Sequence, residues 1–291
     1  MPAPDQQLLE ATIRHLEGLK TRGVRYVKVA PATLAALARP PARRAAAPAP
    51  AAPAPRVAPP PAITAAVTVA PGTLATSPPG PTTPLDKAEA MAQLRARALV
   101  CRKCPHLAAA RRNVVFGIGD INAALMFVGE APGADEDAQG EPFVGLAGQL
   151  LTRIIQTMGL SRQTVYIANI LKCRPDTPGR SAGNRVPTEK EMETCIPYLL
   201  EQIDLIQPKV IVALGATAVK GLLHSTTGIT RLRGQWQVFR GIPTMPTYHP
   251  AYLLRNQALA EKRRVWEDML QVMEKLGLPI TEKQRGFFLA R

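Results

Sequence analysis

The chain of 291 residues contains four cysteines, Cys101, Cys104, Cys173 and Cys195. The first two form a C-x-x-C hook, whereas the other two are isolated, one in K-C-R-P and one in a segment of helical composition. Four thiolates are the ligand set of a structural zinc ion or of a [4Fe–4S] cluster. Two disulfides or unrelated buried thiols are the alternatives, but residues 1–30 lack the apolar core and cleavage site of a signal peptide. The cysteines therefore predict one shared metal site, and the single C-x-x-C hook favours iron–sulphur over zinc.

A second candidate segment, G-E-A-P-G-A-D-E-D at 129–137, follows an apolar run that stops at Gly129. Its glycines and proline predict a tight turn whose backbone N–H groups can face a ligand. An acidic segment of this kind is most often a solvated turn. It is neither a P-loop nor a dinucleotide-binding loop, because G-K-[ST] and G-x-G-x-x-G are absent from the chain.

Three further side chains could bind or act on a planar heterocycle. Phe143 precedes a glycine that starts a helical pattern, and it is either a core residue or a stacking platform. Asn169 ends an apolar run, and its carboxamide can pair with the N3–H and O4 of uracil but not with the reversed pattern of cytosine. A turn-capping role is the alternative for Asn169. His249, fixed by Pro250, could hydrogen-bond an oxygen of a leaving base as negative charge develops.

The segment after His249 predicts a contact with DNA. Tyr252, Leu253 and Leu254 form an apolar run that ends at Arg255. Large apolar residues in a loop beside a cation suit a wedge that enters a base stack while the cation holds a phosphate. A short buried turn of helix is the alternative.

These candidates follow apolar runs that alternate with helical patterns. The runs predict strands at 124–130, 164–170, 209–215, 235–239 and 242–249. Periodicity and caps predict helices at 86–99, 144–159, 188–207, 216–224 and 259–277. Such alternation predicts an α/β fold with a mainly parallel sheet and helices on both faces, with the site at the carboxyl ends of the strands.

Composition separates this core from an N-terminal extension. Residues 31–84 are rich in proline and alanine and predict an extended, disordered linker, and residues 1–30 predict a short helix that binds a protein partner or is transient. The net charge of +14 favours nucleic acid as partner, with an anionic membrane surface as the second choice. Since no run of about 18 apolar residues occurs, no membrane span is expected.

Together these residues resemble the iron–sulphur, or family 4, branch of the uracil-DNA glycosylases. The resemblance runs from about residue 101 to 277, and it is carried by the following motifs in order. They are GEAPG at 129–133, PFVG at 142–145, AGQLL at 147–151, NILKCRP at 169–175, NRVPT at 184–188 and HPAYLLR at 249–255. Each motif is modest, but their order, spacing and cysteine placement together are specific.

The resemblance implies an α/β/α sandwich over 85–279, with a C-terminal tail at 280–291. It implies base excision repair in the cytoplasm, by a monomer that flips uracil out of DNA and hydrolyses its N-glycosidic bond. All four cysteines would hold a [4Fe–4S] cluster. The implied catalytic residues are Glu130, Asn169 and His249. The implied substrate-binding residues are Gly129, Ala131, Phe143, Asn169 and Asn184. The implied DNA contacts are Arg185, Tyr252, Leu253 and Arg255.

Ala131 stands where other branches of the superfamily carry a water-activating aspartate, so no strong general base is evident. The water would be loosely held, with Glu130 or Asp137 orienting it. The loop between Cys173 and Asn184 is longer than is usual in the family, and Arg180 and Arg185 would let it contact phosphate. A related branch that forms a covalent adduct with DNA has a histidine in this region, which this chain lacks.

Two other classes of function remain open from the sequence. The chain could be a non-catalytic Cys₄ module that binds nucleic acid, or an adaptor recruited through residues 1–20. Lys172 is the lysine near these motifs that a lyase step would use, although nothing else in its surroundings favours such a step.

Overall fold

The computed structural model describes residues 84–175 and 184–289. The predicted N-terminal helix, all but the last residue of the predicted linker, and Arg180 lie outside these ranges. None of the helices within them is both long and apolar enough to span a membrane.

One six-stranded sheet organises the described residues, in the order β1-β3-β2-β4-β6-β5. The four central strands are parallel, and the two edge strands, β1 and β5, run antiparallel to their neighbours. The strands are β1 Ile118–Gly119, β2 Leu125–Gly129, β3 Tyr166–Asn169, β4 Val210–Leu214, β5 Gln237–Phe239 and β6 Ile242–Thr247. This confirms the predicted α/β class and the mainly parallel sheet.

Helices cover both faces of the sheet. They are α1 Pro84–Leu99, α2 Pro105–Ala110, α3 Ala134–Gln139, α4 Leu146–Thr157, α5 Glu189–Ile206, α6 Ala216–Leu223, α7 Ile229–Leu232, α8 Pro250–Arg255, α9 Leu259–Lys275 and α10 Glu282–Arg285. The longer ones match the predicted helices, because each carries apolar residues at helical spacing. At α5, the Thr188 hydroxyl accepts from the Glu191 N–H and the Glu191 carboxylate accepts from the Thr188 N–H.

The central strands are buried on both faces, so consecutive residues enter different cores. In β2, Met126 and Val128 pack with α1, α5 and α6, whereas Leu125 and Phe127 pack with α4 and α9. This period of two divides the apolar residues into two layers on either side of one sheet. The result is the three-layer α/β/α arrangement.

The structure differs from the predictions in short elements and at the C-terminus. The strand β1 and four helices of four to six residues were not predicted, because pieces this short carry too few residues to show a period, whereas α8 is the short helical turn given as the alternative for residues 252–255. The described part of the predicted C-terminal tail packs on the domain: the Trp266 indole N–H donates to the Gln284 carbonyl at 2.6 Å, and Phe287 packs on the core. The folded domain therefore includes most of this tail.

Candidate uracil pocket and cysteine site

The carboxyl ends of the parallel strands converge on one cavity. Gly129 at the end of β2 is the register partner of Asn169 at the end of β3, and His249 follows β6 by two residues. The empty space is about 440 Å³. Its lining residues are Ala131, Gly133, Glu136, Phe143, Ala147, Asn169, Asn184, His249 and Ala251.

Asn169 is buried in this cavity, with only 2% of its surface exposed. Its Oδ1 is one of two fully buried side-chain oxygen or nitrogen atoms without a hydrogen-bond partner among the described residues. A Cβ added at Gly129 would lie 2.4 Å from this oxygen and 2.5 Å from the Phe143 ring. Glycine at 129 thus makes room for both side chains, and the unpaired amide oxygen marks a position where a donor from a ligand belongs.

Phe143 is held in a strained backbone conformation beside Asn169. Its φ is +56°, in the left-handed region that a bulky residue seldom occupies. A Cβ at Gly148 would come within 1.9 Å of the Phe143 carbonyl carbon, so glycine there lets the backbone pass over α4. The Arg162 guanidinium donates to the carbonyls of Phe143 at 3.0 Å and Pro142 at 2.7 Å. Arg162 was not predicted, and no motif in the sequence points to it.

His249 is the residue before α8, and its orientation fixes its tautomer. Its Nδ1 accepts the backbone N–H of Ala251 at 3.1 Å. Burial, together with the charge of Arg255, lowers the pKa of His249 to about 4, so the imidazole is neutral at physiological pH. Because Nδ1 is an acceptor, the proton of the neutral ring lies on Nε2. The ring stacks against Phe143 at a centroid distance of 5.5 Å.

Glu136 organises the loops around the cavity, a role that was not predicted for it. Its carboxylate accepts three backbone N–H groups, those of Gly133 at 3.0 Å, Val144 at 3.0 Å and Gly145 at 3.1 Å. It thereby ties the turn after β2 to the segment that carries Phe143. The available sequence signal was an acidic residue three positions after Gly133, where a helix start places a capping side chain.

Two carboxylates expected near the water do not lie in this cavity. Glu130 is partly buried but is not among the lining side chains. Asp137 is buried and accepts the backbone N–H groups of Arg112, at 3.0 Å to Oδ1 and 3.1 Å to Oδ2, and of Asn113 at 3.3 Å. Orientation of a water by Asp137 is therefore wrong for this geometry, because its carboxylate binds the backbone of residues 112 and 113 instead.

The predicted wedge after His249 is a helix and not a loop. Leu253 is only 5% exposed and packs against Tyr248 and Val265. Tyr252 is half-buried against the Tyr248 ring, at a centroid distance of 4.6 Å. Insertion of Leu253 into a base stack stays a prediction, and in this conformation the residue belongs to a core. Arg255, at the end of the helix, is exposed.

The other predicted loop contacts lie on the far side of the cavity. Asn184 lines it, with its Oδ1 accepting from Arg174 Nε at 3.2 Å. Arg185 donates to both oxygens of the buried Glu191, at 2.8 and 2.5 Å, and this contact holds the pKa of that carboxyl well below its usual range. The Arg185 guanidinium is thus already bound to a carboxylate. Its contact with a DNA phosphate stays a prediction.

The four cysteines come together at a second place. They come from the loop after α1, the residue before α2, the segment after β3 and the middle of α5, and they line one small cavity. All four are free thiols rather than disulfides. Burial raises the pKa of Cys104 and Cys173, and that of Cys195 to about 12, so a thiolate here requires a bound cation.

Donors around these thiols suit bound thiolates. The Arg111 guanidinium donates to Cys173 Sγ at 3.0 Å and to the Cys101 carbonyl at 2.7 Å. The backbone N–H of Lys172 donates to Cys195 Sγ at 3.2 Å. Four sulphurs, a small apolar cavity and hydrogen bonds to sulphur are the surroundings that iron–sulphur clusters have in proteins.

A larger groove elsewhere lacks such chemistry. It offers about 700 Å³ of empty space between α4, α8 and α9. Its lining is mostly apolar, with charged groups at its edge and none of the unpaired buried polar atoms that mark the smaller cavity. Ligand specificity comes from convergent polar groups, so the cavity around Asn169 is the better candidate.

A comparison with known protein families agrees with this geometry. The sequence pattern of the uracil DNA glycosylase superfamily matches residues 116–270, which contain Asn169, Phe143 and His249. The chain belongs to the uracil DNA glycosylase superfamily.

Similar proteins place the chain within one branch of this superfamily. The type-4 uracil-DNA glycosylase of Thermotoga maritima is 44% identical over 186 residues, which are 62% of this chain and 92% of the relative. That of Sulfurisphaera tokodaii is 40% identical over 210 residues, 69% of this chain and 91% of the relative. That of Archaeoglobus fulgidus is 44% identical over 170 residues, 56% and 82% of the two chains. The predicted type-4 branch is thereby confirmed as the family of this uracil DNA glycosylase domain.

Proposed function

We propose that this protein removes uracil from DNA by hydrolysing the N-glycosidic bond, and that it leaves an abasic site for repair. The observation that carries the proposal is the unpaired, buried amide oxygen of Asn169 in a cavity bordered by Phe143 and His249. The type-4 glycosylases to which the chain is similar support the same conclusion.

Asn169 would recognise the base. Its Oδ1 lacks a donor, and the N3–H of a flipped uracil supplies one, while the amide Nδ2 can donate to O4. Cytosine has an acceptor at N3 and a donor at N4, so it would face Asn169 with like groups. Phe143, strained into position, would offer its ring face to the base.

His249 would stabilise the leaving base. Its Nε2–H is the free donor of a neutral imidazole, because Nδ1 is occupied by the Ala251 N–H. As the glycosidic bond breaks, negative charge develops on the uracil oxygens, and a donor fixed in a buried site stabilises that charge without reorganising. A positively charged imidazolium would also attract the oxygens of the intact base and stabilise the ground state. A neutral donor avoids this.

The carboxylate among the described residues that line the cavity, that of Glu136, already accepts three backbone N–H groups and is not free to act as a strong base toward water. Ala131 lines the cavity without a polar group. Catalysis would therefore rest on extrusion of the base and on stabilisation of the departing uracil, with an oxocarbenium-like sugar captured by a weakly activated water. Glu130 remains a candidate for orienting that water if the turn 129–133 moves when DNA binds.

The cysteines would hold a [4Fe–4S] cluster with a structural role. Among the residues that the structure describes, no three His, Cys, Asp or Glu side chains converge closely enough to share one metal ion, although four cysteines line one cavity. In a [4Fe–4S] cluster each thiolate binds its own iron, whereas a zinc ion takes all four thiolates itself, and the single C-x-x-C hook with two isolated cysteines favours the cluster. The bound cluster would supply cross-links between α1, α2 and α5.

We propose that DNA is contacted by Arg255 and by Leu146 in place of Leu253. Leu146 is 69% exposed at the first turn of α4, next to Ala147 of the cavity wall. An exposed leucine at the mouth of a base pocket can fill the space that a flipped base leaves, and a nearby arginine can hold phosphate. In the sequence, Leu146 is an apolar residue at the start of a helical pattern. The structure adds that its side chain is exposed and is not part of the core.

The test uses a labelled oligonucleotide with one uracil, cleaved by hot alkali after incubation with the protein. We expect strand scission at the uracil, and a fall of about 1,000-fold for Asn169→Ala, the typical loss when a fixed donor or acceptor is removed from a buried site. Asn122→Ala is the matched control, because Asn122 is an exposed asparagine that accepts from Lys87.

Each alternative has its own outcome in this assay. Intact DNA that is nevertheless bound would contradict the proposal in favour of a non-catalytic module. An adduct that survives denaturing gel electrophoresis would favour the covalent branch. Scission without alkali would favour a lyase.

A further inference from the structure

Lys172 is buried between the pocket and the cysteine site. Only 1% of its surface is exposed, although it carries an amino group on a long flexible chain. Lysines are almost never fully buried unless each donor is satisfied. Lys172 follows Asn169 by three residues and precedes Cys173 by one, so its burial links the two sites described above.

Two acceptors hold the Lys172 amino group. Nζ donates to the backbone carbonyl of Asn169 at 3.0 Å and to the Gln202 side-chain oxygen at 2.6 Å. A neutral amine has two N–H groups and an ammonium has three, so either protonation state satisfies both acceptors. The contact therefore does not depend on the charge of Lys172.

Gln202 is itself fixed in the core. Its amide nitrogen donates to the Phe116 carbonyl at 3.0 Å and to the Tyr166 hydroxyl at 2.9 Å. The chain of contacts from Phe116 through Gln202 and Lys172 reaches the Asn169 carbonyl, on the residue whose side chain lines the pocket. Each member has a partner, so the network is rigid and costs little unsatisfied polarity.

The backbone of Lys172 is held as firmly as its side chain. Its N–H donates to Cys195 Sγ at 3.2 Å, and its carbonyl accepts from the Val115 N–H at 2.8 Å. Its side chain thus points back along the chain toward Asn169 and is enclosed there. Lys172 is not among the residues that line the cavity, and its amino group is bound to two acceptors, which argues against a role as lyase nucleophile.

We propose that Lys172 is a positioning residue for Asn169: by holding the Asn169 carbonyl against Gln202, it sets the angle at which the carboxamide meets uracil. This inference rests on the proposed function. The two hydrogen bonds between the Asn169 carboxamide and uracil tolerate little rotation of the amide. Displacement of a binding group by about 1 Å costs up to roughly 100-fold in rate. An apolar side chain of similar length would fill the same space but would leave the Asn169 carbonyl without its donor.

The competing interpretation is that Lys172 only fills the core. Well-packed apolar replacements of buried charged groups are often neutral or stabilising, so stability alone does not require a lysine here. The two interpretations differ in what happens when Asn169 is already absent. A positioning residue has nothing left to position, whereas a packing residue still supports the fold.

The experiment measures single-turnover uracil excision by Lys172→Met, Asn169→Ala and the double variant, all purified as full chains. We expect Lys172→Met to lose about 30-fold in the rate of excision, within the range for misplaced groups. In the Asn169→Ala background the same change should cost less than about 2-fold, because coupled residues are not additive. Inhibition by free uracil, which probes the pocket without DNA, should weaken in parallel.

Controls separate positioning from folding and from the proposed function. Lys209→Met removes an exposed lysine and should change nothing. Lys172→Gln keeps a donor and should recover part of the rate, and it decides the matter if the methionine variant fails to fold. Equal losses from Lys172→Met with and without Asn169 would overturn the inference. A harmless Asn169→Ala would instead overturn the proposed pocket, whatever Lys172 does.

Discussion

The pocket proposed for uracil and the cysteine site lie a few residues apart along the chain, yet they are built in opposite ways. The pocket leaves Asn169 Oδ1 unpaired and holds Phe143 at a positive φ. At the cysteine site, Cys173 and Cys195 are packed in the apolar core and both accept hydrogen bonds at sulphur. The difference shows that a binding site keeps unsatisfied groups and strain for its ligand, whereas a structural site is already enclosed by its own residues.

This contrast predicts that damage to the cysteine site affects the whole fold. Cys195→Ser should lose the visible absorbance of the cluster and about 3–4 kcal/mol of the free energy of unfolding, because metal binding contributes directly to folding. Thr194→Ala, whose threonine lines the same cavity without being a ligand, is the control. Chemical denaturation followed by circular dichroism measures the difference. A stable Cys195→Ser protein that has lost its cluster would contradict the structural role.

The pocket has a different sensitivity, to pH, through His249. Its folded pKa of about 4 lies below the ordinary value of 6.5, so the unfolded chain binds the extra proton first. The neutral ring is fully compatible with the fold above about pH 6.5, and stability is lost as the pH falls from there toward 4.

His249→Gln should remove this loss. Relative to the variant, the native protein should lose up to about 3 kcal/mol between pH 6.5 and 4, as 1.36 kcal/mol per unit of pKa requires. The control is His224→Gln, because His224 is exposed. His106 is not suitable as a control, because it contacts the buried Glu191. The measurement is the free energy of unfolding of both proteins as a function of pH. If the difference between them stays constant from pH 6.5 to 4, His249 is not held neutral by burial.

Glu136 differs from the other pocket residues, because its carboxylate lines the cavity but already has hydrogen-bond partners in the protein. Glu136→Gln keeps the shape but replaces charge-assisted bonds to three N–H groups with weaker ones, and excision should fall about 10-fold. Asp135→Asn, on the same turn but exposed, should have little effect. Steady-state kinetics with the uracil oligonucleotide measure both. A loss confined to KM would mean that Glu136 helps to bind DNA and does not position Phe143.

The smallest expected effect concerns Leu146, the exposed leucine next to the cavity wall. Leu146→Ala should slow excision from double-stranded DNA about 5-fold, since a flipped base must be kept out of the stack, and leave single-stranded DNA unaffected. Leu259→Ala removes a leucine of similar exposure, 61% against 69%, on α9. If both variants behave alike, Leu146 does not enter the duplex.

The sequence determined the fold class and the approximate positions of the site. Strong apolar runs and capped helices are local signals, and they predicted the central strands and the long helices correctly. The rule that sites lie at the carboxyl ends of parallel strands then selected Gly129, Asn169 and His249. Four cysteines with no spare predicted that they belong together, and the structure places them around one cavity.

Only the tertiary structure decided which side chains face the pocket. Leu253 and Asp137 occur in the motifs but are used by the core and by residues 112 and 113, because each side chain follows the helix that carries it. Arg162 binds the carbonyl groups of a segment about 20 residues earlier, and Lys172 binds the Gln202 side chain 30 residues later, so no local pattern encodes these contacts. The sequence carries a period and a composition, whereas the direction of a side chain depends on what packs against it.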